Sequence, residues 1–189
     1  LIVQLPLPSH LNAERILAAI GEQVDVDLLN PVTSQKFYGN QTTFIPPTAG
    51  AILHILDSLP IDLSQEKFLV LGQGSLVGKP VTHLLNNRNY NISAADINTT
   101  DTVELMLGAS VIISGVGKPK LITGDNVTDG VVIIDAGTSE SAGKIAGDVD
   151  FDSVEKKARF ITPVPGGVGP VTVAKLIENV VTVAETLNS

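Results

Sequence analysis

The glycines of Gly72-Gln73-Gly74-Ser75-Leu76-Val77-Gly78-Lys79-Pro80 follow directly on an apolar run, Phe68-Leu69-Val70-Leu71. A strand ending in closely spaced glycines lets the backbone turn tightly against an anion, and a helix opening behind it points free N–H groups at the charge. The chemistry open to this loop is pyrophosphate binding. Its G-x-G-x-x-x-G spacing is one residue longer than the usual dinucleotide fingerprint, and a glycine-rich turn without a ligand is the competing reading. Asp96 closes the next predicted strand. A carboxylate there can hydrogen-bond both hydroxyls of a ribose and repels a 2′-phosphate, which favours NAD over NADP. The sequence Asp96-Ile97-Asn98-Thr99 fits an Asx turn as well. Two further loops, Gly115-Val116-Gly117-Lys118-Pro119 and Asp135-Ala136-Gly137-Thr138, follow predicted strand ends, the edge where open α/β sheets take ligands. Each also fits a simple turn.

Another loop stands out by composition. Pro163-Val164-Pro165-Gly166-Gly167-Val168-Gly169-Pro170 holds three prolines and three glycines in eight residues. It can be neither helix interior nor central strand, because proline lacks the N–H and glycine lacks a conformational preference. A rigid loop between strand and helix can bring backbone close to a ligand; a tight turn with Gly169 as N-cap and Pro170 at N1 is the structural alternative. Asp25 and Asp27 are two residues apart, so a regular strand would place them on one face. Nothing around them supports a general acid/base dyad, but one acid could hold a polar heterocycle by its N–H groups; solvated acids at a strand end are the alternative. His10, His54 and His83 have no partners at triad or ligand spacing, and no metal site is indicated.

The elements that must position these residues follow from hydrophobic period. Residues 1–5 read as a strand, 12–20 as a helix, 24–29 as a short strand or turn, 30–48 as a long loop and 48–59 as a helix. Beyond residue 62 the texture changes. Strands at 68–71, 91–95, 110–114 and 131–135 alternate with helices at 76–85 and from residue 100 or 101 to 107, the pattern of a parallel α/β sheet. A short strand within 145–151, a helix over 152–159 and strand-like Phe160-Ile161 follow. The last helix, 171–187, carries an apolar stripe of Val173, Leu176, Ile177, Val180, Val181 and Ala184. The predicted fold is α/β: a Rossmann-like parallel sheet domain over 61–170, and part of a second α/β lobe over 1–60, completed by the C-terminal helix 171–189. Of 189 residues 43 % are hydrophobic, enough for an aliphatic core. The net charge of −8, without a basic run, argues against nucleic acid. No apolar stretch reaches the roughly 18 residues of a membrane span, and cysteine is absent. A cytoplasmic protein is expected.

These motifs resemble, in order, those of one family: bifunctional methylenetetrahydrofolate dehydrogenase/methenyltetrahydrofolate cyclohydrolase of the FolD type. The resemblance spans residues 3–179. It rests most on Thr162-Pro163-Val164-Pro165-Gly166-Gly167-Val168-Gly169-Pro170, then on Val3-Gln4-Leu5-Pro6-Leu7-Pro8, Asp25-Val26-Asp27, the Gly72 loop, Gly117-Lys118-Pro119 and Gly147-Asp148-Val149. It implies oxidation of 5,10-methylenetetrahydrofolate by hydride transfer to NAD(P), then hydrolysis of the methenyl product to 10-formyltetrahydrofolate in the intact protein, and a homodimer. By resemblance Gln4 and Asp27 serve catalysis and substrate, Gln4 by supporting a catalytic lysine and Asp27 by hydrogen-bonding the pterin. Pro165, Gly166 and Gly167 stand where pterin meets nicotinamide. Gly72, Gln73, Gly74, Ser75, Gly117 and Thr138 line the cofactor, with Asp96 at the adenosine ribose. Family members often carry Arg and Ser where Gln73 and Gly74 stand, and a His-Ser-Arg-Thr-like turn where Asp96-Ile97-Asn98-Thr99 stands. These departures strengthen the expectation of NAD. The family's Tyr-x-x-x-Lys helix lies upstream of its V-Q-L-P-L-P motif and has no counterpart here, and residue 1 falls inside what reads as a strand under way. An N-terminally truncated chain is expected; a dinucleotide-binding module impaired in catalysis is the alternative.

Overall fold

The computed structural model describes residues 1–141 and 143–187. Five strands, β1 (Lys67–Leu71), β2 (Asn91–Ala95), β3 (Val111–Ser114), β4 (Val132–Asp135) and β7 (Phe160–Ile161), form a parallel sheet in the order β2-β1-β3-β4-β7. The pairing is in register at the ligand end: Leu71 lies beside Ala95 and Ser114, and Ser114 beside Asp135. The loops leaving these strands therefore emerge along one edge. Strands β1, β3 and β4 are apolar almost throughout because both sheet faces are covered. On one face Phe68, Val70, Ile113 and Ile134 pack against α3 (Pro47–Asp57) and α4 (Gly78–Asn87), with Ile52, Leu56, Val81 and Leu85 fully buried. On the other face Leu69, Leu71, Ile112 and Ile133 meet Met106 of α5 (Thr102–Gly108) and Val154 of α6 (Phe151–Val154). Fully burying each large aliphatic side chain contributes on the order of 2 kcal/mol.

Several expectations need correction. Residues 1–5 are not a strand: strands exist by pairing, and this segment has no strand partner among the described residues. Residues 24–29 are not a strand either. A 3₁₀ turn, Glu22–Val24, leads into a bend in which Leu28 takes a left-handed conformation (φ 57°). The expected long loop 30–48 contains helix α2 (Pro31–Tyr38), which follows the short helix α1 (Ala13–Ala18). Asn30 caps α2 by accepting from Val32 N, Pro31 occupies its first turn, and Thr33 and Phe37, four residues apart, are its buried face. The strand within 145–151 is β6 (Lys144–Ala146), antiparallel to β5 (Ser139–Ser141), and the helix after it ends at Val154 rather than 159.

The last helix, α7 (Val168–Leu187), starts earlier than read, which places Pro170 inside its first turn and rules out Gly169 as N-cap. The last two residues of the span 171–189 lie outside the described residues. Its predicted stripe is only partly used: Val173, Ile177, Val180 and Val181 are exposed. The helix instead lies along α3, and Asn179 Nδ2 donates to Val26 O at 2.8 Å and Ile45 O at 3.0 Å. The first of these bonds ties α7 to the Asp25–Asp27 bend and the second to the segment before α3.

Candidate functional site

Two cavities adjoin at the ligand edge of the sheet, sharing Thr48 and Leu76 in their walls. The first is walled by Gln4, Asp27, Ser34, Phe37 and Tyr38. The second is walled by the loops after β4 and β7: Asp135 to Thr138, and Pro163 to Pro170.

Asp27 owes its orientation to its neighbour. Asp25 is buried, and its carboxylate accepts from Leu29 N at 3.1 Å, Asn30 N at 2.8 Å and Thr33 Oγ1. These bonds wind the chain into the bend that turns Asp27 toward the cavity. Asp27 is half-buried, and no described hydrogen bond reaches its carboxylate. Burial raises its pKa above the ordinary carboxylate value, and the charge of Asp25 adds to the rise. A partly desolvated carboxylate without a protein donor is suited to accept hydrogen bonds from a ligand. Gln4 is exposed, its Nε2 donating to Leu5 O at 2.9 Å. Tyr38, which sequence reasoning did not single out, packs edge-on against Phe37 and His83 with ring centroids 5.1 and 5.3 Å away. The Asn30-Pro31 pair is the signal that would have revealed it, because it starts the helix carrying Tyr38.

The second cavity is shaped by glycines that tolerate no side chain. A Cβ on Gly167 would lie 2.5 Å from Pro163 O, and Gly166 sits at φ 106°. At the start of α4 a Cβ on Gly78 would lie 1.7 Å from Gly72 O, so the helix N-terminus is seated directly on the glycine loop. Gly74, Ser75 and Leu76 face outward there, with open space above Gly74. This backbone fits a dinucleotide pyrophosphate: a helix N-terminus behind an open, uncrowded loop. Gln73 folds back, its Nε2 within 3.2 Å of Gly72 O and 3.3 Å of Thr82 Oγ1.

Residues 46–188 match the family described as tetrahydrofolate dehydrogenase/cyclohydrolase, NAD(P)-binding domain. The chain belongs to that family. It is 41 % identical over 179 residues to the bifunctional protein FolD of Clostridium novyi, covering 95 % of this chain and 64 % of that protein. To the FolD of Nautilia profundicola it is 42 % identical over 186 residues, covering 98 % and 66 %. The bifunctional FolD enzyme of Campylobacter jejuni superposes with a TM-score of 0.90 at 37 % identity, covering 97 % of this chain and 66 % of that one. The Trypanosoma brucei dehydrogenase-cyclohydrolase, solved with NADP and an inhibitor, superposes with a TM-score of 0.91 at 32 % identity, covering 100 % and 67 %. The chain thus spans 64 % of the length of the first of these curated relatives.

The sequence-derived residues fall in four groups, one of them the loop of Gly72, Gln73, Gly74 and Ser75 before α4, and only Gln4 and Asp27 lie outside the matched span 46–188. Gln4 and Asp27 share the first cavity. Thr138, Pro165, Gly166 and Gly167 share the second, and Gly117 lies against Thr138, a Cβ on it falling 3.7 Å from Thr138 O. Asp96 stands apart, on the turn after the edge strand β2. Its Oδ1 accepts from Asn98 N at 2.9 Å and Thr99 Oγ1 at 3.3 Å, so the Asx turn is present. No described hydrogen bond uses its Oδ2. Among the described residues no helix is long and apolar enough to cross a membrane.

Proposed function

We propose that the chain oxidises 5,10-methylenetetrahydrofolate, with NAD as the preferred acceptor of the hydride, and that in the intact protein the methenyl product is hydrolysed to 10-formyltetrahydrofolate. The observation that carries this reading is the adjacency of the two cavities through Thr48 and Leu76. One offers the Asp27 carboxylate, which no described hydrogen bond reaches, to a polar heterocycle; the other offers glycine-lined backbone at the sheet's ligand edge. Asp27 would orient the pterin, Pro165 and Gly166 would set the plane where the two ligands touch, and the loop at Gly72 with the start of α4 would seat the pyrophosphate. Hydride transfer asks chiefly for positioning, which this arrangement supplies. Hydrolysis also needs a proton carrier. Asp96 supports the NAD preference, since its second carboxylate oxygen is available to a ribose and would repel a 2′-phosphate.

We read residues 1–60 with α7 as the folate side and residues 61–170 as the cofactor side. The exposed apolar face of α7, with Val173, Ile177, Val180 and Val181, supports a homodimer, tested by sedimentation velocity. A second reading, a module that binds the dinucleotide without turnover, is favoured by the lining of the first cavity, which includes no lysine among the described residues. Spectrophotometric turnover of methylenetetrahydrofolate with NAD decides between them. NADH formation supports the dehydrogenase; NAD binding without NADH formation supports the second reading; absence of NAD binding refutes both.

A further inference from the structure

Two carboxylates are buried under the ligand edge, and among the described residues neither forms an ion pair. Asp148 is fully buried, and Asp135 is 2 % exposed. Asp135 Oδ1 accepts from Gly137 N at 2.9 Å and Asp148 N at 3.2 Å, and its Oδ2 accepts from Val149 N at 3.0 Å. Asp148 in turn reaches across to the loop after β3. Its Oδ2 accepts from Ser114 Oγ at 2.6 Å and Val116 N at 2.8 Å, and its Oδ1 from Lys118 N at 2.7 Å. The two acids interlock through glycines: a Cβ on Gly137 would lie 2.2 Å from Asp148 Cγ, and one on Gly147 would lie 2.1 Å from Asp135 Oδ2. The chain at 147–149 is thus locked to β4, and its carboxylate is aimed at the β3 loop.

A buried charge without a counter-ion is costly unless donors converge on it. Here the donors are the backbone N–H groups of the Gly115-Val116-Gly117-Lys118 loop, whose residues Val116, Gly117 and Lys118 are themselves exposed. The loop lies between two others at this edge. A Cβ on Gly72 would fall 2.9 Å from Gly115 O, while Gly117 abuts Thr138 O. Its shape therefore sets the spacing between the glycine loop after β1 and the loop after β4.

We propose that Asp148 is a positioning residue for the dinucleotide: its carboxylate holds the β3 loop in the shape that the bound cofactor meets. The inference rests on the reading of this edge as the cofactor site. Asp148→Asn tests it, because an amide presents one oxygen where the carboxylate presents two. Either orientation sets an N–H₂ against a backbone donor, and the less costly one releases Lys118 N.

NAD affinity, measured by calorimetric titration of the full chain, is expected to fall about tenfold or more. In turnover the loss should appear in KM for NAD, with kcat at saturating NAD reduced by less than about threefold. Ser114→Ala removes one of the three donors and is expected to give a smaller loss in the same direction, which keeps the test alive if the Asn variant does not fold. Val154→Ala, a truncation in the core below the same sheet, is the control: it lowers stability but leaves NAD affinity within about twofold. Folded Asp148→Asn and Ser114→Ala proteins that bind NAD like the parent overturn the inference and leave the cofactor reading intact. Equal affinity losses in Val154→Ala and the loop variants also overturn it. A parent chain that binds no NAD overturns the cofactor reading, and this inference with it.

Discussion

Replacing Asp27 by Asn is expected to raise the stability of the fold at neutral pH while weakening its hold on a pterin. The carboxylate is half-buried and receives no described hydrogen bond, whereas Asp25 beside it collects three. Burial first, and the charge of Asp25 second, push the Asp27 pKa above its ordinary 3.8. A group whose folded pKa is raised destabilises the fold as pH rises through that pKa, because the unfolded chain ionises more readily. The Asn variant escapes this penalty. The gain should be about 1 kcal/mol, kept small because the amide sheds the charge but stays unpaired and part of the side chain still meets solvent. For a chain of this length that is a rise in Tm of roughly 2–4 °C. The difference should close near pH 4 and below, as the wild-type acid becomes neutral. Binding should move the other way. Loss of a charge-assisted hydrogen bond costs about 1.5–3 kcal/mol, or roughly a 10- to 100-fold weaker affinity for tetrahydrofolate. Calorimetry near pH 7 and near pH 4, with fluorescence titration of tetrahydrofolate, measures both. A lower Tm at neutral pH, or unchanged tetrahydrofolate affinity, would refute the reasoning.

Asp96→Ser should improve kcat/KM for NADP relative to NAD by on the order of tenfold, since one unit charge near another is worth about 1–4 kcal/mol at 4 Å; an unchanged ratio would assign Asp96 to its turn alone. Gly78→Ala forces a methyl to within 1.7 Å of Gly72 O and should cost about 3 kcal/mol, a fall in Tm of roughly 6–12 °C; an unshifted melting curve would show that the loop yields freely. Ile177→Lys, at a site 56 % exposed, should leave monomer stability within about 0.5 kcal/mol and dissociate any dimer seen by sedimentation. A dimer that persists would place the interface elsewhere.

The sheet was legible because buried parallel strands carry their own signal. The runs at 68–71 and 91–95 coincide with β1 and β2 to within a residue, and the glycine loop followed where a strand met a helix. Helix α2 carries little periodic signal, since its buried face is only Thr33 and Phe37. Its two-residue signature, Asn30 as cap and Pro31 in the first turn, was present but short. The stripe on α7 shows another limit. Periodicity finds an apolar face but not the neighbour that covers it, and α7 is held through Asn179 and its contact with α3. In the site, Gln4 and Asp27 were legible through a resemblance, whereas Tyr38 depended on a helix that had not been seen.

The acids illustrate what a sequence leaves undetermined. Asp25, Asp27, Asp96, Asp135 and Asp148 look alike as letters, and each stands near a turn or a strand end. In the fold they separate by their donors. Asp25, Asp135 and Asp148 are buried and each accepts three hydrogen bonds, chiefly from backbone N–H groups and, among the described residues, none from a cation. Both oxygens of each are engaged within the chain and shielded from ligands, and their work is to hold loops. Because those carboxylates are buried and their donors are neutral groups rather than exposed lysines or arginines, salt screens the bonds little. Asp27 retains both oxygens and Asp96 retains one. A carboxylate can accept from a ligand only what the protein has not already given it. By that accounting the acids available to a ligand are Asp27, facing the first cavity, and Asp96, on the turn after β2, and the braced acids between them fix the loops against which such a ligand would lie.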